Sequence, residues 1–149
     1  ALLFLKNVRD MVGKNGKFLI GVDTKKDEDI LWRAYNDPQG HTASFNFNLL
    51  RRINNELGAE IDTSEFFHDA FYNSELGRIE MHLKSKIQQS IRIGNRNFSF
   101  EIGESIHTEN SYKYSKDEFP ELAKKSGFEL LEVWSDRENL FAIYLLQVV

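Results

Sequence analysis

Two hydrophobic periods divide this chain, and the change between them limits what it can fold into. In "RIEMHLKSK" the residues Ile79, Met81 and Leu83 alternate with charged or polar neighbours. Successive side chains of a strand point to opposite faces, so this is strand patterning with one wet face. "SIRIG" and "NFSFEIG" alternate the same way, and "GNRN" between them supplies hairpin-turn chemistry. Earlier in the chain the period is helical. Leu2, Leu5, Val8 and Met11 or Val12 recur along one face, and Gly13 ends the run. Ala43, Phe47, Leu50, Ile53 and Leu57 follow one face of a longer helix, with Thr42 as the expected cap and Gly58 in the C′ position. "KKDEDILWRAYND" predicts a short helix stopped by Asp37-Pro38 and Gly40, and Thr63 to Phe67 predict one more helical turn.

The two ends of the chain follow the pattern of a layered α/β sheet. "KFLIGVD", after the turn "KNGK", predicts a buried strand with Asp23 at its carboxyl end. "SKDEFPELAKKSG" predicts a helix: Ser115 and Glu118 have capping-box spacing, Pro120 falls in the first turn, and Gly127 ends it. "FELLEVWSD" and "NLFAIYLLQVV" are strands joined by "SDREN". The second is apolar almost throughout, which predicts burial on both faces. The expected fold class is α/β, or α+β if the chain is a fragment. Residues 1–23 and 115–149 belong to one layered sheet, and 24–114 form an inserted helical and antiparallel unit.

Composition excludes several functions. Of the 149 residues 41% are hydrophobic, with twelve Phe, five Tyr and two Trp, enough for an aromatic core. There is no Cys, hence no disulfide framework or thiolate metal site. The net charge of −4 is mixed along the chain with no basic block, which argues against nucleic acid as a partner. No apolar run reaches the roughly 18 residues of a membrane span. The apolar start "ALLFLKNVRDMVG" contains Lys6, Arg9 and Asp10 and reads as a helix rather than a signal peptide. A chain opening on Ala, already in helical pattern, is expected to be part of something longer.

No Gly-rich phosphate turn, GxSxG elbow or HExxH spacing is present. "DTKKDED" lacks the glycine and terminal Glu of a calcium loop and reads as a solvated turn. The chemistry gathers in "IHTENSYKYS". Glu109 and Ser111 are two apart, so in an extended segment they share a side. Together they can address both nitrogens of a flat heterocycle, or they can simply make a turn before the next helix. Asp23, at a strand's carboxyl end, is a ligand-edge position or a turn Asp. Tyr35 and Met81 read, on their own, as packing residues.

The strings "RAYNDPQGHTASFNFNLLRRINNELGAEID", "RIEMHLKS" and "IHTENSYKYS", with "GVDTKKD" and the closing "GFELLEVWSD…FAIYLL", resemble the C-terminal part of the histidine-specific, S-adenosylmethionine-dependent methyltransferases. The resemblance covers nearly the whole chain. It implies a Rossmann-like methyltransferase sheet, contributed here by 1–23 and 115–149, and a substrate-binding domain over 24–114. It implies that Glu109 and Ser111 hydrogen-bond the substrate imidazole, that Tyr35 helps hold the amino-acid end, and that Met81 packs near the ring. S-adenosylmethionine is the implied methyl donor, its main binding motif lying upstream of this sequence. No metal and no catalytic acid or base is implied. The intact protein is expected to be a cytoplasmic monomer converting L-histidine to hercynine, and the fragment alone to be inactive and open to self-association. A relative acting on a tryptophan derivative and a non-catalytic binding domain are the alternatives.

Overall fold

The computed structural model describes residues 1–149. By internal contacts the chain divides into two compact units: Ala1–Lys26 with Tyr112–Val149, and Asp27–Ser111.

In the first unit, helix α1 (Leu2–Val12) leads into strand β1 (Lys17–Asp23). Helix α4 (Glu118–Lys125) leads into β7 (Phe128–Ser135) and β8 (Phe141–Val148). The sheet order is β1-β8-β7, with β8 antiparallel to both neighbours. The capping box forms in both directions: the Ser115 N–H donates to Glu118 Oε2 at 2.7 Å, and the Glu118 N–H to Ser115 Oγ at 3.2 Å. The Asp136 carboxylate accepts the N–H groups of Glu138 and Phe141, which closes the turn before β8.

Both helices lie on one face of this sheet. Leu5, Phe119 and Ala123 form one core with Ala142, Tyr144, Leu146 and Val148. The predicted two-sided burial of β8 is therefore not what the structure shows. Its alternate residues Phe141 and Ile143 are exposed, as is Leu19 of β1, because α1 and α4 both pack on the opposite face. Nor is β1 a buried strand: it lies at the sheet edge and only Val22 is fully enclosed.

The second unit holds α2 (Glu28–Tyr35) and α3 (His41–Leu57), followed by a 3-10 turn (Thr63–Glu65). Strands β2 (Phe66–Asn73), β3 (Arg78–Ser85) and β6 (Ser105–Tyr112) form a sheet in the order β2-β3-β6. Strands β4 (Gln89–Ile93) and β5 (Arg96–Phe100) form a separate hairpin. Ile79, Met81 and Leu83 are all buried, as the alternation predicts. Ile79 and Met81 join Leu31 of α2, and Leu83 joins Leu50 of α3.

Three local expectations change. Strand β2 does not stand out in the sequence, because "FFHDAFYN" mixes apolar and polar residues without clean alternation. It is pairing with β3, Ala70 opposite Met81, that makes it a strand. Only Thr63–Glu65 of the predicted turn is helical. The side chain that caps α3 is that of Asp37, not Thr42: Gly40 holds the N-cap position, and the Asp37 carboxylate accepts the N–H groups of His41 and Thr42 at 2.8 and 2.9 Å. A carboxylate at a helix N-terminus meets both the orphan donors and the positive end of the dipole. Those bonds, that of the Thr42 N–H foremost, hold the Asp37 carboxyl down at about 2.

Candidate functional site

Strand β6 sits beside β3, and Thr108 Oγ1 donates to the Met81 carbonyl at 2.9 Å. This places Met81 and Glu109 on one cavity of about 210 Å³, walled by α3 through Phe45, Asn46, Asn48 and Leu49. Glu109 is half-buried there, and its carboxylate takes no hydrogen bond or ion pair from the chain. A partly desolvated carboxylate facing a cavity is built to receive an N–H donor, since leaving it unmatched costs free energy.

Two residues further on, Ser111 meets Tyr35. Tyr35 Oη donates to Ser111 Oγ at 2.7 Å, so the last residue of α2 reaches β6. Accepting from Tyr35 turns the Ser111 hydroxyl proton toward other acceptors. The Tyr35 ring packs on the cluster of Leu31, Ala70, Ile79 and Met81. Of the five residues singled out in the sequence, four thus belong to one neighbourhood in the second unit. Met81 and Glu109 share a cavity, and Tyr35 and Ser111 share a hydrogen bond.

Asp23 belongs to the first unit and serves that unit's own structure. Its carboxylate binds Lys26 Nζ at 2.6 Å and the fully buried Lys113 Nζ at 2.8 Å. Partial burial works against its charge, but these two lysines outweigh burial and hold the carboxyl below its usual range. Asp23, the carboxylate at the end of β1, is taken up by two lysines, and Gly21 is closed over by the Phe141 ring.

Glu80, His82 and His107 bring three potential metal donors within 4.8 Å of one another. The two imidazoles are stacked, 16° from parallel with centroids 4.5 Å apart, so their in-plane lone pairs run side by side. A metal needs donors that converge. What holds the group is stacking, with Phe71 on the other side of His82, and the ion pair of Glu80 with Arg78. The Arg78 hydrogen bonds, more than any other influence, keep the Glu80 carboxyl below its usual range.

Sequence reasoning missed the wall contributed by α3. Asn46 is 3% exposed on the apolar stripe of that helix. A buried Asn on such a stripe is the signal available in the sequence, since it must be hydrogen-bonded.

A family model for "Histidine-specific methyltransferase, SAM-dependent" matches residues 1–148. The histidine N-alpha-methyltransferase of Mycolicibacterium smegmatis is 34% identical over 95% of this chain and 45% of its own length. That of Mycobacterium tuberculosis is 35% identical with the same coverage. The ergothioneine biosynthesis protein 1 of Neurospora crassa is 33% identical over 98% of this chain and 16% of its own length. The chain thus spans about half the length, or less, of these curated relatives. A crystal structure of an S-adenosylmethionine-dependent methyltransferase from Clostridium acetobutylicum superposes with a TM-score of 0.44 at 14% identity, over 99% of this chain and 50% of that one, too loosely to add to this. On the family match along its whole length, the chain belongs to the histidine-specific, S-adenosylmethionine-dependent methyltransferases.

Proposed function

We propose that this chain supplies the substrate-reading part of an N-methyltransferase that acts on the α-amino group of L-histidine and yields hercynine. The second unit, Asp27–Ser111, is the substrate-binding part, and L-histidine the ligand. The observation that carries the reading is the Glu109 carboxylate, half-buried, without a partner from the chain, on the cavity it shares with Met81. A neutral imidazole offers one N–H and one bare nitrogen. Glu109 accepts the first, and Ser111, which itself accepts from Tyr35, donates to the second.

S-adenosylmethionine supplies an already activated methyl group. The part played by this chain is orientation. Fixing the imidazole end aims the distant amine, and positioning of that kind can supply on the order of 7–11 kcal/mol in favourable cases. None of the named residues is assigned as a base. Selectivity follows from mismatch: an indole has a single ring nitrogen, so the Ser111 hydroxyl would lose its acceptor.

The test is a methylation assay on the full-length protein containing this chain. With S-adenosylmethionine and L-histidine, mass spectrometry should show trimethylated histidine, and L-tryptophan offered in parallel should be turned over far more slowly. Equal use of the two amino acids, or no methylation of histidine, overturns the reading.

A further inference from the structure

Behind the proposed imidazole site lies a hydrogen-bonded chain whose every proton is fixed by its two ends. Asn46, on α3, donates from Nδ2 to the His82 carbonyl at 3.1 Å. A carbonyl can only accept, so the atom facing it is the amide nitrogen and not the oxygen. The same nitrogen lies 3.0 Å from Nδ1 of His68. That ring atom is therefore the bare one. At the other end, His68 Nε2 lies 2.9 Å from the Tyr35 carbonyl, again an obligate acceptor, so Nε2 carries the proton. Two backbone carbonyls and one buried amide thus select a single tautomer of His68, with the proton on Nε2.

The chain ends on the residue whose hydroxyl meets Ser111. Tyr35 is the last residue of α2, where the helix has no following turn to hold it. His68 takes its carbonyl. The neighbouring Asn36 side chain donates to the Ala70 carbonyl at 2.9 Å and to the Trp32 carbonyl at 3.0 Å. Two clamps from α2 to β2 thus set where the Tyr35 side chain starts. A buried Asn in the middle of a helix is neither a strong helix former nor an apolar filler, so its place on α3 is accounted for by this bonding.

We infer that His68 and Asn46 are positioning residues for substrate recognition: together they fix the end of α2 so that Tyr35 holds the Ser111 hydroxyl in its donating orientation. The inference rests on the assignment of Ser111 to the imidazole made above. Neither residue needs to touch the ligand through this relay, although Asn46 also lines the Glu109 cavity.

The experiment compares two substitutions of similar size in the full-length protein. The amide nitrogen of Gln overlays the Nε2 position of His, and that of Asn overlays Nδ1. H68Q therefore keeps a donor for the Tyr35 carbonyl, and H68N loses it. H68N should raise the KM for histidine roughly five- to tenfold, the scale of one lost hydrogen bond, with the KM for S-adenosylmethionine unmoved. H68Q should restore most of the loss, and S111A added to H68N should cost little more, because both act through one contact. Equal effects of H68N and H68Q, or full additivity with S111A, overturn the inference. Nitrogen-15 NMR of the unsubstituted protein reads the tautomer directly, whatever the variants do: protonation on Nε2 is expected, and protonation on Nδ1 overturns the inference. Histidine turnover by the unsubstituted protein is measured first, so that failure of the proposed substrate is seen separately from failure of the relay.

Discussion

Tyr35 and Ser111 stand 76 residues apart in sequence, yet Tyr35 Oη and Ser111 Oγ lie 2.7 Å apart. The end of a helix and a strand of the β2-β3-β6 sheet are joined by two hydroxyl groups. Y35F removes the donor and keeps the ring that packs near Met81. Stability should fall by about 1 kcal/mol, the net value of a hydrogen bond between neutral groups, and histidine affinity should fall with it, because the Ser111 hydroxyl loses the group that orients it. Calorimetric titration of histidine, paired with a thermal melt, checks both halves. Unchanged affinity would detach Tyr35 from the site.

The Glu109 carboxylate predicts a larger effect. E109A should weaken histidine binding by roughly 1–3 kcal/mol, the scale for a hydrogen bond to a charged group. Because Glu109 has no partner within the chain to lose, the folded state should not suffer. A titration in which E109A binds like the parent would remove Glu109 from recognition.

Asp23 should matter for stability. Lys113 has a fully buried side chain, and Asp23 is its counter-ion at 2.8 Å. D23N takes the Asp23 charge away from that ammonium. Breaking a fully buried pair costs about 3–5 kcal/mol; with Asp23 27% exposed, roughly 2–3 kcal/mol is expected, measured by denaturant unfolding. The sign with pH follows from the lowered carboxyl. The contribution is full above the ordinary value of 3.8 and fades as pH falls through the lower folded-state value. Acid titration of the parent should show that loss, and D23N should lack it.

The start of α3 separates two caps. D37A should lower the melting temperature more than T42A, because the Asp37 carboxylate holds two helix N–H groups. With its carboxyl at about 2, the Asp37 cap is complete above pH 3.8 and is lost only as pH falls toward about 2. Equal melting shifts for the two variants would restore Thr42 as the cap.

Local periodicity and short-range chemistry were enough for much of this chain. The alternation of Ile79, Met81 and Leu83, the Ser115–Glu118 box and the glycines that end α1, α3 and α4 depend on residues within a few positions of one another. The sequence alone therefore determines them. The pairing of Glu109 with Ser111 on one strand was also legible, because spacing of two in an extended segment is a local fact. What faces those residues was not. Strand β2 exists through its pairing with β3, the outer face of β8 is open because α1 and α4 both lie on the opposite side, and Asp37 displaced Thr42 through a loop geometry no spacing rule contains. The tertiary structure also decided that Asp23 is bound by Lys26 and Lys113, and that Asn46 and His68 stand behind Tyr35. The physical reason is the same in each case. Hydrogen bonds and burial between distant segments depend on how the chain closes on itself, and a pattern read along the sequence reports only near neighbours.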